Sequence, residues 1–240
     1  MENNEHLGGK YHRMAYSFEK DTQKKIFAYF LLITGILVFA LTLLGVTAGI
    51  SEWTDAFLKR NLGITNKWSA TYGPEWFVSL MKEFSSLGGK VLLFVSMVLI
   101  SIYYKLKGKE KLLWKFLFVF LGGNFILLIL KLIFIHDVPY EPIDLIIKDI
   151  THYPSGHAMI SLIFYVTLAV IISRRQRRQR VRNFIMISAF VIVFIVCLAR
   201  LLAHAHTVTE VLAGLSAGLI WLCLCWLGER FLRIHYKWDF

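Results

Sequence analysis

The sequence predicts an all-α membrane protein: six transmembrane helices in a bundle, with an interfacial helical segment between the first two. Three observations carry that prediction. Hydrophobic residues make up 57% of the 240 and charged residues only 18%, far from the balance of a water-soluble domain. Six stretches, 27–50, 88–104, 112–136, 156–173, 183–203 and 208–228, reach or approach the roughly 20 apolar residues needed to cross about 30 Å of hydrocarbon. Threading these helices alternately also sorts the charge. One side of the membrane receives 19 of the 27 Lys/Arg and 7 of the 16 Asp/Glu, leaving the other side nearly neutral.

Each element follows from its residues. The tail 1–26 is polar, and the apolar run after it is too long for a cleaved signal peptide and lacks an A-x-A exit, so 27–50 is expected to remain as a helix. Residues 51–87 carry Trp53, Trp68, Trp76 and Phe77 among scattered charges, the composition of a segment lying at the outer membrane interface. Two roles stay open for it, a lid or lateral gate and a plain interface anchor. The second span, 88–104, runs into the basic linker 105–111, and 112–136 follows, with Lys115 near its start and Lys131 near its far end. Pro154 precedes the fourth span, which Arg174 closes. The fifth and sixth spans, 183–203 and 208–228, are joined by a short polar turn, and 229–240 form a C-terminal tail. The membrane domain is thus 27–228.

The net charge of +11 is accounted for by topology. Positive residues gather on the cytoplasmic side, so both termini face the cytoplasm and the protein belongs in the inner, cytoplasmic membrane. The run Arg174–Arg182 is set to touch anionic inner-leaflet lipids. It lacks the interleaved aromatics on which bases stack, so no nucleic-acid partner is expected. Cys197, Cys223 and Cys225 all fall within spans and read as apolar packing residues rather than disulfides or metal ligands.

Charge at membrane depth is costly, about 2.5–3.5 kcal/mol at a helix centre on insertion scales, so several charges gathered at one level point to a site. On this topology Lys131, Ser155, His157, Arg200, His206 and Glu210 all reach the outer face. Ser155 and Gly156, after Pro154, have the form of a helix N-terminus, whose unpaired N–H groups make a ready anion site. His157 then sits in the first turn. Five residues separate Arg200 from His206, a length suited to a tight turn. Glu210 follows His206 by four, which puts carboxylate and imidazole on one helix face, where the carboxylate can fix the tautomer and leave the other ring nitrogen to attack.

These motifs resemble the signature of the type 2 phosphatidic acid phosphatase superfamily of membrane lipid phosphatases: Lys-x6-Arg-Pro, Pro-Ser-Gly-His and Ser-Arg-x5-His-x3-Asp. Here they read Lys131 to Val138-Pro139, Pro154-Ser155-Gly156-His157, and Ala199-Arg200 through His206 to Glu210. The resemblance covers roughly residues 84–228. It implies a phosphatase in which His206 is the nucleophile that forms a phosphohistidine, Glu210 orients it, and His157 protonates the leaving oxygen. Lys131, Ser155, the Gly156 backbone N–H and Arg200 would bind the phosphate. It implies no cofactor and no metal. Val138 stands where the family has arginine, removing a two-pronged donor whose loss typically costs about 10²–10³ in rate unless another group substitutes; His136, His152 and His204 are near in sequence.

The implied substrate is a membrane lipid phosphate or pyrophosphate, with undecaprenyl pyrophosphate and phosphatidylglycerophosphate ranked first. A lipid A 1-phosphatase and a lipid-to-lipid phosphotransferase would use the same site. A noncatalytic reading also stands, as a degenerate family member or an anion-binding transporter. Retention of His157, Arg200, His206 and a carboxylate at 210 weighs against degeneracy, and the lack of a broken helix pair in matching halves weighs against transport.

Overall fold

The protein is a multi-pass membrane protein built from helices. Its computed structural model describes residues 2–62, 73–134 and 153–236, with side chains over 22–62, 73–134 and 153–234. The helices are α1 (Glu2–Leu43), α2 (Ala48–Leu62), α3 (Glu75–Ser86), α4 (Lys90–Leu106), α5 (Glu110–Ile133), α6 (Gly156–Ser173), α7 (Gln179–Leu202) and α8 (Val208–Tyr236). Six stretches of these are long and apolar enough to span a bilayer, and among the described residues there is no strand.

The spans fall where the apolar runs place them, with three differences of detail. The first stops at Leu43 rather than 50, because the chain turns at Gly45, a left-handed position at φ 71°, and restarts as α2. Residues 51–87 contain two separate helices, and the second of them, α3, leads into α4 through a break at Leu87–Gly89, so one composite span covers Glu75–Leu106. The last helix continues past 228 to Tyr236, which carries the first part of the expected C-terminal tail into α8. Trp68, His136, Val138, Pro139 and His152, and with them the arginine-to-valine departure, lie outside the described residues.

The bundle is organised around α6. Two-thirds of its span is buried inside the protein, a larger share than for any other span, and it packs against α5, α7 and α8. Met159 and Ile163 are fully enclosed, and Phe164 meets Phe116 and Phe120 edge-on at 5.9 and 5.5 Å. On the α8 side the helices come too close for side chains. A Cβ on Gly214 would sit 2.4 Å from the Ser155 carbonyl oxygen, and one on Gly218 would sit 3.2 Å from the Met159 oxygen. Glycine at these two positions, four residues apart, is the small-residue spacing by which membrane helices pack through van der Waals contact. The outer faces of α1, α5 and α7 present exposed apolar side chains such as Phe30, Leu37, Phe118, Phe125, Phe184 and Phe194, a surface made for lipid tails.

At the end of the bundle opposite the predicted site, α5, α6 and α8 meet through charge. Glu229 accepts from Lys115, from Arg233 at 2.9 Å, and lies 3.7 Å from Arg174. Cys197, Cys223 and Cys225 lie in α7 and α8 as free thiols, the first two buried.

Candidate active site

Two helix beginnings meet at the other end of the bundle, and local sequence explains both. Ser155 occupies the N-cap of α6 at φ −63° and ψ 111°, the extended geometry of a capping residue. Its side chain does not cap. The Ser155 hydroxyl is completely buried and has no hydrogen-bond partner among the described residues. A buried hydroxyl left in this state costs about 1–3 kcal/mol, so at a helix N-terminus it is a donor available to an anion. Lys131, in the last turn of α5, reaches the same place. Its Cε lies 3.8 Å from where a Gly156 Cβ would be, so the lysine stem runs along the bare Gly156 backbone. His157 is the next residue, in the first turn of α6 and half-buried.

The second beginning is the turn from α7 to α8, and it accounts for the spacing of Arg200 and His206. The Ala205 amide donates to the Arg200 carbonyl at 3.0 Å and the His204 amide to the Leu201 carbonyl at 3.0 Å. His204 itself has φ 51°. This is a Schellman closure, with the left-handed residue just past the helix end. Glycine usually fills that position, and its absence here hides the motif from a sequence scan. The His206 amide also donates to the Arg200 carbonyl, at 3.2 Å, so Arg200 anchors the turn by its backbone and offers its guanidinium from the same position.

Immediately afterwards Thr207 and Glu210 form a capping box. The Glu210 amide donates to Thr207 Oγ1 at 3.3 Å, while Glu210 Oε2 accepts from the Thr207 amide at 3.1 Å. The same Oε2 lies 2.8 Å from His206 Nδ1. The expected pairing of His206 with Glu210 is thus present, but His206 precedes the helix instead of riding on its face. Glu210 reaches it by folding back over the first turn. One extra methylene relative to aspartate suits that path. The His206 side chain is only 1% exposed.

A direct bond joins the two beginnings: the Ser155 amide donates to the Glu210 carbonyl at 3.0 Å. Ser155, Gly156, Lys131, Arg200, His206 and Glu210 therefore belong to one connected cluster, with His157 on its edge. Arg200 Nη1 donates to Ser85 Oγ at 3.3 Å, which brings α3 over the cluster from the side of α7. Tyr153 stands just before Pro154. Its hydroxyl is 2.9 Å from Thr42 Oγ1 and its ring meets Phe134 at 4.8 Å, tying the entry to α6 to α1 and α5. Burial raises the Tyr153 pKa, opposed by the Thr42 bond, and keeps the phenol protonated.

Thr207, Ser85, Thr42 and Tyr153 were not legible as site residues. Only Thr207 carried a signal, the Thr-x-x-Glu capping pattern before an apolar run.

The chemistry available is that of an anion site with a nucleophile. A carboxylate at Nδ1 places the His206 lone pair on Nε2. Lys131, Arg200, the Ser155 hydroxyl and the N-terminus of α6 together supply donors and positive potential. Among the described residues no three His, Cys, Asp or Glu side chains converge as a metal ion would require.

Comparison with known proteins agrees in fold and family. The family model described as the PAP2 superfamily matches residues 112–233, half of the chain. The crystal structure of the first transmembrane PAP2 type phosphatidylglycerolphosphate phosphatase, from Bacillus subtilis, is similar in fold. The two are 23% identical at a TM-score of 0.63, with 85% of this chain and 96% of that one covered. No curated protein sequence gives a match.

Proposed function

The chain belongs to the PAP2 superfamily, and from that premise we propose that it is a lipid phosphatase acting through a phosphohistidine at the outer face of the cytoplasmic membrane. The observation that carries this reading is the joint between the two helix beginnings. A buried, unpartnered Ser155 hydroxyl sits one backbone bond away from a carboxylate-held imidazole, so anion donors and nucleophile share a single rigid frame.

The reaction follows from the roles. Lys131, Ser155, the Gly156 N–H and Arg200 hold the phosphate oxygens and stabilise the charge that spreads over them in the transition state. His206 Nε2 attacks phosphorus in line as the bond to the leaving oxygen breaks, and His157 delivers a proton to that oxygen. Glu210 stabilises the imidazolium character that develops on His206. Water then attacks the phosphohistidine, gives its proton to His157, and inorganic phosphate leaves. No step requires a metal ion.

Charge asymmetry supports an outward-facing site with both termini inside, since the loops at the opposite end hold most of the Lys and Arg. The substrate is a lipid carrying a phosphomonoester or pyrophosphate, with undecaprenyl pyrophosphate and phosphatidylglycerophosphate the first candidates. The same residues would serve a phosphotransferase if a second lipid replaced water.

The test is phosphate release by the purified protein from polyprenyl, glycerophospholipid and lipid A phosphates, without added magnesium. His206→Ala is expected to abolish release from whichever lipid the wild type accepts. Robust turnover by that variant sinks the mechanism.

A further inference from the structure

The first turn of α8 is not capped by its own sequence alone. A helix leaves its first N–H groups without partners inside the helix. The capping box satisfies the Thr207 and Glu210 amides. The Thr209 amide, between them, donates instead to Ser51 Oγ at 3.0 Å, and Ser51 belongs to α2. A small buried knot of hydroxyls surrounds that bond: Thr209 Oγ1 is 2.8 Å from Ser51 Oγ and 3.0 Å from Thr47 Oγ1. One turn further along α2, Asp55 Oδ1 lies 4.0 Å from His204 Nε2, on the left-handed residue of the Schellman turn. A second helix therefore bonds the segment carrying His206 on its far side, at Thr209, and places a carboxylate near it on the other, at His204.

The other side of α2 is built differently. Trp53 stacks on Phe57 with ring centroids 5.4 Å apart, and both are exposed, Trp53 at 66% against 7% for Ser51. An exposed stacked aromatic pair on a helix beside membrane spans is suited to the headgroup level of a bilayer. One helix thus carries both an interfacial anchor and the missing cap of the nucleophile turn.

We propose that α2 is a positioning element that makes the orientation of His206 depend on contact with a lipid surface. Seated in the headgroup layer through Trp53 and Phe57, α2 presents Ser51 and Asp55 to the α7–α8 turn and holds the His206–Glu210 pair in its attacking geometry. Lifted from that layer, it releases the Thr209 amide and the turn loosens. The inference rests on the reading of His206 as nucleophile.

The experiment compares Ser51→Ala and the milder, partly exposed Asp55→Asn with the wild type, in bilayer nanodiscs and in detergent. In nanodiscs Ser51→Ala is expected to lower kcat about tenfold with KM nearly unchanged, since it disturbs attack and not phosphate binding. Asp55→Asn should lower kcat about two- to threefold. The Trp53→Ala/Phe57→Ala pair should reproduce the Ser51→Ala loss in nanodiscs and lose less in detergent, where the micelle surface replaces the lipid headgroup layer. Hydrogen exchange at the Thr209 amide should accelerate in Ser51→Ala and in the aromatic pair. Wild-type kcat in Ser51→Ala, a loss that falls on KM, or unchanged Thr209 exchange overturns the proposal. Exchange is read without turnover, so an active His206→Ala would remove the nucleophile reading while leaving the α2 coupling measurable.

Discussion

Two glutamates on α8, Glu210 and Glu229, sit at opposite ends of one helix and use the same carboxylate in different ways. Glu229 is a counter-ion. Lys115, Arg174 and Arg233 gather round it and join α5, the end of α6 and α8 at one level. Glu210 is, in the proposed mechanism, an orienter. Its Oε2 takes a backbone amide and an imidazole, and its carbonyl takes the Ser155 amide. Charges that answer one another inside the chain make a fastening. Donors that converge around a carboxylate already committed to holding a neighbour, with a serine hydroxyl left over, have the make-up the proposed phosphate site needs.

The comparison can be broken in three places. The largest effect is expected from Glu210→Gln, which keeps the shape but lets the amide accept or donate and so fails to enforce the His206 tautomer. Phosphate release should fall about 10²–10³-fold, as when a preorganised electrostatic partner is removed. A loss of less than threefold would make Glu210 a cap and nothing more.

Next is Glu229→Gln, which leaves three cations facing one another. Breaking a buried pair costs about 3–5 kcal/mol. Glu229 keeps 13% of its side chain exposed, so a loss of about 2–3 kcal/mol in unfolding stability is expected, with activity per folded molecule unchanged. A catalytic defect at full stability would mean that the far end is not merely a fastening.

The smallest is Ser155→Ala, and it sharpens the distinction most. Deleting a hydroxyl that has no partner removes a desolvation cost and should leave the thermal midpoint equal or higher. Activity should fall about tenfold, roughly the worth of one good hydrogen bond to a charged phosphate. Destabilisation without loss of rate would assign the hydroxyl to packing.

Much of this was legible in the sequence, for identifiable reasons. Spans are written as long apolar runs that few other structures tolerate, and Lys131, Arg200 and the two histidines stand out because charge inside such runs is costly. Pairing of His206 with Glu210 followed from spacing, though for an incomplete reason, since the capping box and not a shared helix face brings them together. The break between α2 and α3 was not legible, because residues 51–87 mix apolar and charged residues without a clear period. Nor was the Schellman turn, which has histidine where glycine is the usual sign. Ser51 and Thr209 could not be singled out: hydroxyls become informative only when another helix supplies their partner. Ser155 looked like an ordinary cap, and only its burial without a bond distinguishes it.

The tie between Tyr153 and Thr42 has a wider consequence when set beside the knot at Ser51. The residues proposed to attack, donate a proton or bind phosphate lie within the stretch that the family model matches, 112–233, while hydroxyls that steady its two helix beginnings come from α1, the turn after it and α2. On the proposed mechanism, the reacting groups and the groups that align them therefore come from different stretches of the chain. If α2 positions His206 as proposed, substitutions ahead of residue 112 change the rate while every motif by which the family is recognised stays intact.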